Sequence, residues 1–152
     1  MKKITITQIS EKKIKAGNPL LQMEDFPNEL SFDEGELVEL VDSRQKFVAK
    51  AYLAKQNKGV GWVFSLDNAD SFNEAFFKKQ FEKAKRKRTD LQSDPETTTY
   101  RLFNAEGDGI PGVTIDHYDG FAVVSWYSEG IFRYQTAIIA AFQAVFPETK
   151  GI

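Results

Sequence analysis

The order of apolar and polar positions changes character twice along this chain. Up to about residue 70 the apolar residues fall in short runs. Ile4 and Ile6 alternate with polar neighbours in KKITITQ, Leu37, Val38, Leu40 and Val41 crowd ELVELVD, and KFVAKAYLA and KGVGWVFS follow closely. Turns such as DEG and DSRQ separate them. Several short strands at this spacing predict a small barrel or sandwich. No helix is predicted before Asp70 beyond a turn near GNPLLQMEDF. From Phe72 to about Arg88 the period lengthens. Phe77, Phe81 and Ala84 at i, i+4 and i+7 make an apolar stripe beside Phe76, which predicts a helix. Ser71 with Glu74 three residues later reads as a capping box that opens it. TDLQSDPETTT, with Pro95, then predicts a linker.

Beyond the linker, YRLF predicts a strand, and Asp119-Gly120 between two β-rich runs predicts a two-residue hairpin. Such a loop pairs Tyr118 with Phe121, Ile115 with Val124 and Val113 with Trp126. Val113, Ile115, Val124 and Trp126 then share a core face, while Thr114, Asp116 and Ser125 lie on the other. IFRYQTAIIAAFQAVFPE predicts one helix with Ile131, Ile138, Phe142 and Val145 on one side. TKGI reads as the start of a strand returning to the hairpin. A hairpin, a helix and a partial strand make a poor independent fold, so the sequence reads as stopping in mid-element.

Composition narrows the chemistry. The 152 residues suit one ordinary domain or two small ones, and 13 Phe can supply their cores. No apolar run is long enough for a membrane span, and the amino terminus lacks the apolar stretch of a signal peptide, so a cytosolic protein is expected. There is no cysteine and only one histidine. That excludes disulfides, thiol catalysis and a Cys/His zinc site within these residues, and leaves His117 as the sole imidazole base. No paired-carboxylate motif stands out. The net charge of −2 conceals a basic segment. Residues 76–90 hold seven Lys/Arg against two Asp/Glu, while the parts on either side are mildly acidic. This asymmetry points weakly to a polyanionic partner.

GDGIPG, Gly107 to Gly112, matches the glycine pattern of a dinucleotide fingerprint. That fingerprint needs a helix directly after the glycines, because the helix amino terminus holds the phosphates. Here a strand hairpin follows, and Glu106 and Asp108 place two negative charges where phosphate would approach. The loop therefore reads as a tight connection between strands. Yet YRLFNAEGDGIPGVTIDHYDGFAVV resembles a signature of the RlmI-like family of S-adenosylmethionine-dependent ribosomal RNA large-subunit methyltransferases, with Ala105 in the place of the family's first glycine. The resemblance extends along the chain. EGELVELVDSRQKFVAKAYLA looks like the hairpin and following strand of a PUA domain, GVGWVF like its last strand, and AFFKKQFEKAKRKR like the helix that follows. Where many members carry Arg-His-Pro-Trp, this chain has Gly17-Asn18-Pro19-Leu20.

The resemblance implies an α+β architecture. A PUA-like RNA-binding β pseudo-barrel over 1–70 is followed by a basic connecting helix over 71–90, a linker over 91–99 and a partial α/β hairpin-plus-helix domain over 100–152. It implies ribosomal RNA as partner, no membrane, and S-adenosylmethionine as cofactor of the full-length parent but none in this chain, with self-association left open. The methyltransferase domain of the family, and the cysteine nucleophile of its 5-methylcytosine-forming members, are not matched here, so no catalytic residue is nominated and the chain alone is expected to be inactive. A stand-alone RNA-binding module and a protein-interaction domain are the other readings. Candidate RNA contacts are Lys12, Lys13 and Lys15, near the loop through which PUA domains often meet RNA, and Lys83, Lys85, Arg86, Lys87 and Arg88 in the basic segment. Both sets also have plain readings, as solvated lysines after a strand and as cations at a helix carboxyl end. His117 reads as structural. Trp62, Phe64 and Trp126 lie in apolar strand patterns and read as core before they read as base-stacking groups.

Overall fold

A computed structural model describes residues 1–152. Its elements in chain order are β1 (Lys2–Thr5), α1 (Gln8–Lys15), β2 (Leu20–Leu21), β3 (Leu37–Val41), β4 (Phe47–Leu53), β5 (Gly61–Ser65), α2 (Glu74–Lys87), α3 (Thr89–Ser93), β6 (Thr99–Asn104), β7 (Val113–Tyr118), β8 (Phe121–Trp126), α4 (Glu129–Phe132) and α5 (Gln135–Val145). The mixed α+β composition expected from the sequence is present. Met1–Asp70 and Ser128–Arg133 form one unit, and Ser71–Tyr127 and Tyr134–Ile152 form another.

In the first unit the sheet order is β1-β3-β4-β5-β2. β1 runs parallel to β3, and the other neighbours are antiparallel. Val48 to Leu53 of β4 are all buried, so this central strand is covered on both faces. Ile14, Leu21, Val38, Leu40 and Leu53 pack at the centre of its core. The predicted strands at 37–41, 47–53 and 61–65 are therefore found.

The first helix is a correction to the expectation that none precedes Asp70. Eight residues from Gln8 form α1 because Thr7 caps them, its hydroxyl accepting from the Ser10 N–H at 3.2 Å. Only Ser10 and Ile14 of this helix are buried, whereas Ile9 is 82% exposed. No apolar stripe advertises it. The cap, Glu11 in the first turn and lysines in the last were the available signals.

The second unit is a three-stranded antiparallel sheet, β6-β7-β8, with α2 and α5 on one face. Phe81 of α2 meets Phe103 of β6 and Phe142 of α5 edge-on at 4.8 and 5.6 Å between ring centroids. The cap of α2 is Asn73, not Ser71: its side-chain oxygen accepts from the Phe76 N–H at 3.0 Å. The later start lets Phe72 stay outside the helix and pack edge-on against Phe77 at 4.7 Å, a hydrophobic staple that sets the entry of the chain. Thr89 to Ser93, inside the stretch read as breaking the helix, add the short helix α3.

The hairpin register is as the sequence predicts, Tyr118↔Phe121, Ile115↔Val124 and Val113↔Trp126. Asp119 and Gly120 both have positive φ, 46° and 91°, as the two-residue turn demands. The single helix expected from Ile131 to Val145 is instead two. Ser128 caps α4, whose Ile131 is buried in the first unit, and α5 begins beyond Tyr134, whose ring packs on Phe72 in the second. Ile131 and Ile138 are seven apart, but they belong to different cores. Gly151 pairs with Phe121 in parallel, with the Ala122 N–H donating to its carbonyl at 2.8 Å, as a strand returning to the hairpin would.

Candidate nucleic-acid interface

Two buried carboxylates decide which of the basic residues are available to a partner. In the first unit Asp25 is 4% exposed. It accepts from the Ser10 hydroxyl, from the Gln22 N–H at 2.7 Å, and through both oxygens from the Lys13 ammonium at 2.9 and 2.7 Å. Burial alone would raise this carboxyl, but the bonds from Lys13, Ser10 and Gln22 together outweigh it and hold it below the ordinary aspartate value. Lys13 is thus committed to the fold. Lys15 pairs with Glu11 one turn back at 2.5 Å, an exposed pair of small energetic weight. Lys12 is exposed and carries no ion pair.

Asp108 plays the same part in the second unit. It sits in the glycine loop, is 7% exposed, and closes that loop by accepting from the Asn104 N–H at 2.7 Å. Arg88 clasps it with Nη2 at 2.6 Å and Nη1 at 3.3 Å, and Lys87 adds a contact at 3.3 Å. Here too burial raises the carboxyl, and the Arg88 fork, the Asn104 amide and Lys87 more than reverse it. Arg88 further donates through Nε to the Arg101 carbonyl at 2.8 Å. Lys85 turns inward as well, donating to the Val145 carbonyl at 2.9 Å and lying 5.2 Å from the Phe146 ring centroid, where it complements the carboxyl end of α5. Of the five nominated cations on this helix, Lys83 and Arg86 are exposed without an ion pair.

The glycine loop has the shape of a connection. Ala105 to Asp108 make a 3-10 turn, Gly109 follows with φ of 96°, and the chain enters β7. A Cβ on Gly109 would stand 2.5 Å from the Gln80 side-chain oxygen, so the space beside this glycine is filled by the protein itself. Phosphates of a dinucleotide find neither a helix amino terminus nor an open cradle there. Ala105, in the family's first glycine position, has φ of 46°, the left-handed region where glycine is at ease.

His117 is structural in form. Its ring stacks on Tyr100 with centroids 4.8 Å apart, and its Nε2 accepts from the Gly120 N–H at 3.1 Å within the hairpin turn. Phe64 is buried, and Trp62 and Trp126 are half-buried in their strands. The aromatic groups that reach solvent are others, Tyr118, Phe121 and Tyr127, at 47, 51 and 59% exposure. Strand alternation could have found the first two, since both lie opposite the core face of the hairpin. Also missed were Arg44 and Lys46, which with Glu11 and Asp42 line a cleft of about 490 Å³ in the first unit. No helix is long and apolar enough to cross a membrane.

A family model described as a PUA-like domain matches residues 4–66. The chain is 39% identical over its whole length to a candidate ribosomal RNA large subunit methyltransferase, YwbD of Bacillus subtilis (strain 168), and spans 39% of that protein. It is 33% identical over 114 residues to ribosomal RNA large subunit methyltransferase I of Cronobacter sakazakii, covering 75% of this chain and 29% of the relative. Among solved structures, a candidate SAM-dependent methyltransferase from Streptococcus mutans superposes with a TM-score of 0.91 at 42% identity, over 98% of this chain and 39% of the other. Another, a candidate methyltransferase complexed with SAH, gives a TM-score of 0.92 at 42% identity. The chain thus spans less than half the length of these relatives. With a PUA-like first unit, the Glu-Gly-Asp-Gly-Ile-Pro-Gly loop built around a buried Asp108, and likeness that runs through both units, the chain is similar throughout to part of the RlmI-like ribosomal RNA large-subunit methyltransferases.

Proposed function

We propose that this chain is the RNA-recognition and scaffolding part of an S-adenosylmethionine-dependent methyltransferase that acts in the cytosol on a cytosine of 23S ribosomal RNA. The observation that carries the reading is the match to ribosomal RNA methyltransferases over the whole of the chain, which is 39% of the B. subtilis relative's length. In this reading residues 1–70 and the basic helix position structured RNA. Methyl transfer belongs to a catalytic domain outside these 152 residues, where S-adenosylmethionine supplies the methyl group. The glycine loop supports that division, because Asp108 serves the fold and the Gly109 face is filled by Gln80.

Electrostatics name the contacts. Lys12, Lys83 and Arg86 are the nominated cations without a partner in the fold, so they are the ones to neutralise phosphates; Lys13, Lys15, Lys87 and Arg88 pair with carboxylates and Lys85 with the Val145 carbonyl. Anisotropy titrations with a labelled ribosomal RNA fragment at several salt concentrations test this. Charge reversal of Lys12, Lys83 and Arg86 together should weaken binding and flatten the dependence of log affinity on log salt by about 0.7 per lost contact with single-stranded RNA, or about 0.9 with a duplex. An unchanged slope removes these residues from the interface. Calorimetry with S-adenosylmethionine should show no heat with this chain, and tight binding would overturn the division of labour.

A further inference from the structure

The sheet of the second unit has one face under α2 and α5 and one face that no helix or strand of the unit covers, where Thr114 alone is buried, 5% exposed. The register sorts the uncovered face into three cross-strand rows. Thr99, Tyr118 and Phe121 form the first, Arg101, Asp116 and Val123 the second, and Asn104, Thr114 and Ser125 the third. Tyr127 extends past the end of β8 and returns over the third row, its hydroxyl 3.3 Å from that of Thr114. Tyr118, Phe121, Val123 and Tyr127 are each about half exposed. Rings therefore stand at both ends of the face, four residues or about 13 Å apart along β7. Between them Arg101, its side chain 46% exposed, is fixed by the Asp116 carboxylate at 2.5 Å.

Such a mixture is poorly suited to burial against an apolar protein surface, because it would desolvate the Arg101–Asp116 pair and the hydroxyl and amide groups of the outer rows. It suits unpaired bases. Each base offers a flat face to stack on an aromatic ring and polar edges for a guanidinium, a carboxylate or an amide to bond. Charge complementarity points the same way. Arg88 of the basic helix end donates to the carbonyl of Arg101, which places the end of α2, with exposed Arg86, against the edge strand β6 of this sheet. At the opposite edge Lys150 lies 5.8 Å from the Phe121 ring centroid. Cations thus flank the ringed face on both sides, where a phosphate backbone entering and leaving it would run.

We propose that this open face is a stacking platform for a single-stranded segment of RNA, with Tyr118 and Tyr127 each holding one base and the Arg101–Asp116 pair reading a base edge between them. The proposal rests on the RNA-recognition reading above and adds to it a surface that binds bases rather than phosphates. Its test uses the full chain and two fluorescein-labelled probes, a single-stranded RNA decamer of mixed sequence and a duplex of the same length. Tyr118→Thr with Tyr127→Ser should weaken the decamer by about tenfold or more, from the loss of two stacked rings, and leave the duplex unchanged. Tyr118→Phe with Tyr127→Phe should restore decamer binding, because the rings and not the hydroxyls do the stacking; circular dichroism confirms that each variant is folded. If the decamer binds all three proteins alike while Lys83→Glu with Arg86→Glu weakens it, the platform is wrong and the phosphate reading survives. If no variant and no probe shows binding, the RNA reading itself fails, and the platform with it. If the ring variants instead convert a dimer to a monomer in sedimentation without changing RNA affinity, the face is a self-association surface and the proposal is overturned.

Discussion

Asp25 and Asp108 lie in different units and solve one problem in two ways. Each is a buried carboxylate that closes a turn by accepting a backbone N–H, and each draws in cations that look solvent-facing in the sequence. Asp25 relies on Lys13, whose side chain is 24% exposed and can fall back on water. Asp108 relies on the fork of Arg88, 15% exposed and itself bonded to two backbone carbonyls. The difference teaches that a run of basic residues is not a measure of an anionic surface. A planar, multi-donor guanidinium beside a buried acid becomes part of the scaffold, while Lys83, earlier on the same helix, stays exposed without an ion pair.

The comparison breaks most clearly under substitution. Asp108→Ala leaves Arg88 without its counter-charge and opens the glycine loop, so it should destabilise the chain by about 3 kcal/mol. Asp25→Ala should cost about half as much, since Lys13 regains water while the Ser10 and Gln22 donors lose their acceptor. Chemical denaturation of both variants tests the order, and equal losses would erase the distinction. A smaller effect is expected with acid. Both carboxyls lie below their ordinary value in the folded chain, so the stability they contribute is complete above the unfolded value of about 3.9. It declines as pH falls through the lower folded values. Stability followed from pH 7 to pH 2 should therefore be level in this contribution until about pH 4 and then fall. Asp108→Asn should show a shallower fall than the parent, and an identical profile would mean that Asp108 carries no linkage.

The smallest effect concerns the loop that Asp108 closes. Ala105 adopts a left-handed conformation that costs an alanine about 1 kcal/mol relative to glycine. Ala105→Gly should gain somewhat less than that, because glycine also loosens the unfolded chain. A rise of a few degrees in the melting temperature would support this account, and a loss would show that the alanine methyl makes a contact of its own.

Much was legible from the residues alone. The β3, β4 and β5 strands, the hairpin and its register, and the helix carrying Phe77, Phe81 and Ala84 were read correctly, because each follows from short-range physics: alternation, a two-residue turn needing positive φ, a stripe of 3.6 period. The family resemblance was legible too, from the order of glycines and acids between Glu106 and Asp116. What failed was local pattern without local cause. Helix α1 has one buried apolar side chain and is held by a cap and by Asp25. The stripe from Ile131 to Ile138 runs across a break between two cores.

The candidate surface divides along the same line. Sequence determined that a cluster of cations lies between residues 78 and 88, and strand alternation held, unread, that Tyr118 and Phe121 oppose the core face, since charge and alternation are properties of neighbours. Only the tertiary structure decided that Lys13, Lys85, Lys87 and Arg88 are bonded to distant partners within the chain while Lys12, Lys83 and Arg86 are not, and that no layer covers Tyr118 and Tyr127. The partners of the four bound cations lie from 12 to 60 residues away in the chain. Pairing over such distances is set by the packing of the two cores, and no local rule encodes it.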